Sequence, residues 1–260
     1  MSSFVAPRRL GAVIAPVLLL LIVVIGGWWL YVWLSHINRV ILPAPNEVAS
    51  ALWTNRSTLW SDLLVTLREV VYGFVSGFLL GVVSGVLIVY SRILERTLYP
   101  VIIASQVIPI FALAPLLIIW FGFGIAPKVI IAALIVYFPI AVNMVEGLRS
   151  ADQGIIDVMR SFGSSEWRIF RSIRLPSSIP SLLVGTQVGV TFAVIGAVIA
   201  EWVGASAGLG YRMVTANSQS ETDLVFAAII TLAVVGVALF VLVRVIGDLA
   251  FPWQRKQRAD

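Results

Sequence analysis

The chain predicts an all-α membrane protein with six transmembrane helices, and three observations carry that expectation. Of its 260 residues, 60% are apolar and only 12% are charged, against roughly 25% charged in an ordinary soluble domain. Several uninterrupted apolar runs reach the ~20 residues that a helix needs to cross ~30 Å of hydrocarbon. The sequence lacks the ~10-residue alternating segments of a transmembrane barrel, and the cost of unpaired backbone in lipid leaves the helix as the spanning form.

The spans are expected at about 12–34, 63–90, 99–121, 129–145, 181–201 and 224–251. The first follows Arg8 and Arg9. It is too long for a signal-peptide core and lacks a small-residue cleavage site, so it is expected to stay as a membrane helix. The connection 35–62 holds Pro43-Ala44-Pro45-Asn46-Glu47, a turn into a short helix whose Val48, Leu52 and Trp53 are placed on the membrane interface. Connections 91–97 and 122–128 are short, so spans two, three and four are expected to be sequential neighbours.

Lysine and arginine set the orientation. Arg8, Arg9, Arg92, Arg96, Arg149, Arg160, Arg168, Arg171, Arg174, Arg255, Lys256 and Arg258 fall on one side, and Arg39, Arg56, Lys128 and Arg212 on the other. The positive-inside rule then puts both termini in the cytoplasm. The net charge of +5 and pI near 10 are explained by orientation and anionic headgroups rather than by nucleic acid. No internal repeat divides the chain, so one transmembrane domain over 1–260 is expected. With no cysteine, disulfides and thiol chemistry are excluded.

Two helices carry small-residue stripes: Gly73, Gly77, Gly81 and Gly85 on the second span, and Gly185 and Gly189 with Ala193 and Ala197 on the fifth. Residues four apart share a helix face, so these stripes let another backbone approach closely. Close packing is one reading, and sliding between packed helices during an open-to-closed transition is the other. The third span holds Gln106, Pro109 and Pro115. Proline removes a helical hydrogen bond, and a broken helix commonly borders a cavity. Polar residues at membrane depth, namely Gln106, Asn143, Thr186, Gln187 and Thr191, are therefore candidates for a substrate path together with Pro109; hydrogen bonding between helices is the structural alternative for each.

The long polar insert 146–178 has an ordered spacing: Asp157-Val158-Met159, three residues, Gly163, nine residues, then Ile173-Arg174-Leu175-Pro176. A short helix over 154–162, a left-handed bend at Gly163 and a new helix from Ser164-Ser165-Glu166-Trp167 are expected, with Pro176 stopping the backbone before the next span. Charges keep the outer surface polar, while Ile155, Val158, Met159, Phe162, Trp167 and Phe170 offer apolar anchors.

This spacing resembles the permease subunits of ATP-binding-cassette (ABC) importers, whose cytoplasmic signature is Glu-Ala-Ala, three residues, Gly, nine residues, Ile-x-Leu-Pro; Asp157-Val158-Met159 stands where Glu-Ala-Ala is expected. The resemblance implies a type I ABC importer-like permease fold whose cytoplasmic coupling helix enters a groove on the ATPase. It places Asp157, Val158, Met159, Phe162, Gly163, Trp167, Arg168, Arg171, Ile173, Leu175 and Pro176 in that coupling region. It further implies two copies of a separate ATPase subunit that binds ATP and Mg, a second permease copy forming a homodimer, and an extracytoplasmic substrate-binding protein. No cofactor, metal or catalytic residue is then expected in this chain, and its setting would be the bacterial inner membrane.

The likeness extends to the nitrate, sulfonate and taurine subgroup through Ile41-Leu42-Pro43-Ala44-Pro45, Pro115-Leu116, Trp120-Phe121-Gly122-Phe123-Gly124, Gly204 and Gly208-Leu209-Gly210-Tyr211. Members of that subgroup also carry thiamin-precursor pyrimidines and riboflavin-like heterocycles, and the few polar groups on the inferred path favour a small neutral or aromatic cargo over a strong anion.

Other classes leave weaker signals. No Gly-x-x-x-x-Gly-Lys-Ser/Thr phosphate loop occurs. An ion-coupled secondary carrier would need an ion site near mid-membrane, whereas the acids here are expected near helix ends. A membrane-embedded enzyme would need paired catalytic groups, which the sequence does not assemble. His36, the lone histidine, fits an interfacial position better than a metal site. Glu201 is expected either to pair with a basic residue or to meet the binding protein.

Overall fold

The computed structural model describes residues 7–251, and among them no strand occurs. The orientation signals Arg255, Lys256 and Arg258, with the side chains of Arg8 and Arg9, lie outside the described residues. Eleven helices follow in order among the described residues: α1 (Pro7–Ser35), α2 (Pro45–Thr54), α3 (Arg56–Tyr90), α4 (Arg92–Ser105), α5 (Ile110–Phe121), α6 (Ile125–Arg149), α7 (Gln153–Ser161), α8 (Glu166–Ile169), α9 (Leu175–Gly204), α10 (Leu209–Ser218) and α11 (Thr222–Ala250). Five apolar helical stretches are long enough to cross a membrane, and α4 with α5 makes a sixth span broken by a bend of 101°.

The break has a chemical cause. Pro109 caps α5 with extended backbone, and a residue preceding proline disfavours the α region, so α4 ends at Ser105 and α5 starts anew at Ile110. The third span is thus an elbow rather than the single kinked rod expected over 99–121. Pro115, within α5, does not interrupt it.

At the centre α6 lies between α3 and α9. A Cβ built on Gly77 would stand 2.6 Å from the Ala133 carbonyl, on Gly81 2.7 Å from Ile140 Cβ, and on Gly85 2.7 Å from Met144 Cβ; Gly73 faces Ala132. Both residue series rise together, so α3 and α6 run parallel. Gly185 faces Pro139 and Asn143, and Gly196 faces Ala132, so α9 runs antiparallel to both. Spans two and four thus meet directly as well as through the third: the broken span is the crossover between the parallel pair, and it packs on both, with Ile102 of α4 against Ile88 of α3 and Ala141 of α6, and Ala114 of α5 against Ile131 of α6.

Two further boundaries differ from the sequence reading. Helix α3 begins at Arg56, which brings Asp62 into the helix rather than the preceding loop. Pro176 does not stop the chain. A π-helical turn, Phe170–Arg174, joins α8 to α9, with the Leu175 N–H bonded to the Phe170 carbonyl. The wider turn makes room for a residue with no N–H to give, and one helical path runs from Glu166 to Gly204. In α2, Val48 is buried within the chain rather than on the interface, whereas Trp53 is exposed with Arg56 over its ring.

Candidate functional site

The elbow between α6 and α9 is built by local rules. Asp152 caps α7 by accepting from the Gly154 and Ile155 N–H groups (2.7 and 3.2 Å), which satisfies donors a helix start leaves open. Gly163 takes φ +75° and closes α7; Ser165 caps α8. Ile156 and Ile169 are fully buried with Ala151, and Met159 and Ile173 pack against them. This small core fixes two short helices that could not persist alone.

The same scaffold turns apolar side chains outward. Phe162 is 85% exposed, Trp167 68% and Val158 55%, beside the exposed Arg168 and Arg171. Arg160 Nε donates to Glu166 Oε1 (2.8 Å) and lies 3.6 Å from Asp157, and the Glu166 hydrogen bond holds its guanidinium more firmly protonated than usual. Exposed pairs of this kind add little stability. Trp167 stacks on Phe170, Phe170 meets Tyr90 edge-on, and Arg174 lies over Tyr90. The structure thus divides the coupling candidates: Met159 and Ile173 belong to the scaffold, Gly163 to the turn, Leu175 and Pro176 to the helical junction, and Asp157, Val158, Phe162, Trp167, Arg168 and Arg171 to the surface.

The candidates for a substrate path do not converge on one cavity. Gln106 lies at the α4–α5 break on a cavity of about 250 Å³ shared with Leu98, Leu134 and Tyr137, and Pro109 is exposed beside it. Thr191 lies on a larger apolar cavity of about 770 Å³ between α9 and α11, with Trp202 and Phe240. Thr186 and Thr191 each donate to a carbonyl of their own helix (2.6 and 3.1 Å). Asn143 donates to the Pro139 carbonyl (2.8 Å) opposite Gly185. Gln187 is half-buried.

Sequence reasoning missed a buried polar cluster at the opposite end of α9. Glu69 and Glu201 are 2% and 1% exposed. Lys128 Nζ donates to Glu69 Oε1 (2.7 Å). Thr66 O–H donates to Glu201 Oε1 (2.7 Å) while Thr66 Oγ1 accepts from the Leu209 N–H (2.9 Å). The Gly210 N–H donates to Glu201 Oε2 (2.5 Å). Asp62 accepts from the Gly208 N–H (3.3 Å) and from Arg212 Nε (2.7 Å). Glu201 therefore takes a hydroxyl and a backbone amide as its hydrogen-bond donors, a basic side chain being one of the two expectations and contact with the binding protein the other.

A signal for this cluster was present. Asp62, Thr66 and Glu69 stand at i, i+4 and i+7, on the same face that Gly73, Gly77, Gly81 and Gly85 continue. Polar side chains in register with a packing stripe on an apolar helix mark a buried contact.

Known proteins resemble this chain in sequence and in fold. Residues 77–251 match the family described as binding-protein-dependent transport system inner membrane component. A probable ABC transporter permease protein of Haemophilus influenzae is 41% identical over 77% of this chain and 82% of its own length. The formylaminopyrimidine transport permease ThiX of Halalkalibacterium halodurans is 34% identical over 84% of this chain and 87% of its own. The riboflavin transport system permease RibX of Chloroflexus aurantiacus is 36% identical over 86% and 84%. Among solved structures, the MetNI methionine ABC transporter in inward-facing conformations shares the fold at TM-score 0.60 and 24% identity, covering 76% of this chain and 95% of that one. An amino acid ABC transporter does so at TM-score 0.61 and 19% identity, covering 76% and 94%. With its elbow, its broken third span and its α3–α6–α9 centre, the chain belongs to the binding-protein-dependent inner membrane component family and is an ABC importer permease subunit.

Proposed function

We propose that this permease moves a small organic nutrient across the bacterial inner membrane by ATP-driven alternating access. Both termini face the cytoplasm, two copies form a homodimer, two ATPase subunits bind ATP and Mg below it, and an extracytoplasmic binding protein delivers cargo above it. The single observation that carries this reading is the outward-facing set Val158, Phe162 and Trp167 on an elbow whose α8 continues into a spanning helix. Large apolar groups in that position fit a protein groove, and the continuous helix supplies a path for force. The α1 stretch Leu18–Ser35 has none of its length buried in the chain, in keeping with contact to lipid or to a second copy.

The cargo we favour is a neutral or aromatic heterocycle. Relatives named for formylaminopyrimidine and riboflavin transport, together with the apolar lining around Gln106 and Thr191, support it. Reconstituting the chain with its ATPase and binding protein in proteoliposomes tests the reading: uptake of formylaminopyrimidine or riboflavin should require both ATPase and ATP. Uptake driven by a proton or sodium gradient without the ATPase would replace this reading with an ion-coupled carrier.

A further inference from the structure

We propose that Asp62, Thr66, Glu69, Lys128, Glu201 and Arg212 form a permanent tie that makes α3, α6, α9 and the Gly208–Arg212 turn one moving body, so that this turn travels with the spanning helices during transport instead of swinging open. The proposal rests on the transport reading above and adds which part of the molecule does not move.

Four observations converge. First, the hydrogen bonds join α3, α6, α9 and α10 with the turn before it, and Thr66 alone links Glu201 to the Leu209 amide. Second, the carboxylates and the hydroxyl of the cluster are buried: Asp62, Thr66, Glu69 and Glu201 are each at most 5% exposed, while the Lys128 and Arg212 side chains are 11% and 29% exposed. Opening it would strand carboxylates and a lysine among apolar helices, where unpaired charge is costly. Third, the turn is shaped around the carboxylate. Gly208 sits at φ +116°, and a Cβ on Gly208 or on Gly210 would run into Glu201. Fourth, Leu209 is fully buried in an apolar cluster with Leu59, Leu63, Met213 and Leu224, so the turn is fastened by packing as well as by polar bonds.

A gate that opens in every cycle would instead show bonds that water can replace and a lightly packed tip. A tie shows bonds out of water's reach, and those that Thr66 and Glu201 make with each other and with the Leu209 and Gly210 amides are of that kind.

The chain contains no cysteine, so within it only the introduced pair can bridge, and the parent complex under the same oxidant reads any effect on the ATPase or the binding protein. Thr66→Cys with Leu209→Cys replaces the hydrogen-bonded link by a covalent one in the full complex of permease, ATPase and binding protein in proteoliposomes. The readout is ATP hydrolysis stimulated by the binding protein, which needs no knowledge of the cargo. The oxidised complex is expected to match or exceed the reduced one. A fall on oxidation of about tenfold, reversed by reductant, would show that the turn must separate from α3 and would overturn the proposal. Thr66→Val and Thr66→Ser give an independent arm. Serine keeps the hydroxyl and should behave as the parent chain, while valine strands both Glu201 Oε1 and the Leu209 N–H and should lower stimulated hydrolysis on the order of tenfold. Equal activity in the valine and serine complexes would also overturn the tie. Absence of stimulation in the parent complex is a different result, since it removes the transport reading itself.

Discussion

The two ends of α9 are built on opposite plans. At the Glu166 end, apolar side chains face outward, the ion pairs are exposed, and the buried core is confined to Ala151, Ile156 and Ile169 with Met159 and Ile173 against it. At the Glu201 end, the carboxylates are buried, hydrogen-bonded to named partners except at Glu69 Oε2, and wrapped in a larger apolar cluster. The first end is unfinished in that it displays its apolar groups, and the second is the finished one in that most of its polar groups are paired within the chain. Polarity alone would have ranked them the wrong way round, because the charged residues of the finished end are hidden and the hydrophobic residues of the unfinished end are displayed.

Variants can break this contrast, and the largest effect is expected at the finished end. Lys128→Met leaves Glu69 buried without its cation and should cost about 3–5 kcal/mol, read as a sharp fall in the denaturation midpoint of detergent-solubilised chain. Adding Glu69→Leu to it should recover most of that loss, and failure of the double variant to recover would show that the pair serves more than charge balance. Next, Gly81→Leu forces a side chain into Ile140 and should cost about 1–3 kcal/mol through overpacking, measured by thermal aggregation. Normal folding with abolished transport would favour the sliding reading of the stripe.

At the unfinished end, Phe162→Ala with Trp167→Ala should leave the unfolding midpoint of the isolated chain unchanged while weakening ATPase association by about 2 kcal/mol or more, seen as loss of co-purification. Gly163→Val places a β-branched residue at φ +75°, at a cost of about 1–2 kcal/mol, and should uncouple ATP hydrolysis from uptake; Arg174→Glu, which loses its place over Tyr90, should do the same. The smallest effect belongs to Arg160→Ala, whose pairs with Asp157 and Glu166 are exposed: no measurable change in the unfolding midpoint is expected at physiological salt.

How much of this was legible in the sequence follows the range of the forces involved. Apolar runs, glycine spacing and the Gly163 bend are local, so spans, packing faces and the left-handed turn could be read directly. The Glu69–Lys128 pair spans 59 positions and Thr66–Glu201 spans 135, and no local pattern reports such a meeting. The i, i+4, i+7 placement of Asp62, Thr66 and Glu69 did announce a buried polar face, but not its partners. Proline misled in two opposite ways. Pro109 was read as a kink and ends a helix, while Pro176 was read as a stop and is carried through, because a π turn precedes it and none precedes Pro109.

That π turn carries a mechanical implication. An extra residue within a helix shifts all that precedes it by about 100° around the axis, so the angular setting of Trp167 and Phe162 against the membrane rod depends on the single surplus residue in Phe170–Arg174. On the proposed coupling, torque as well as push would pass along α9. Shortening that wide turn by one residue would aim the exposed apolar face of the elbow at a different quadrant while leaving every helix formed.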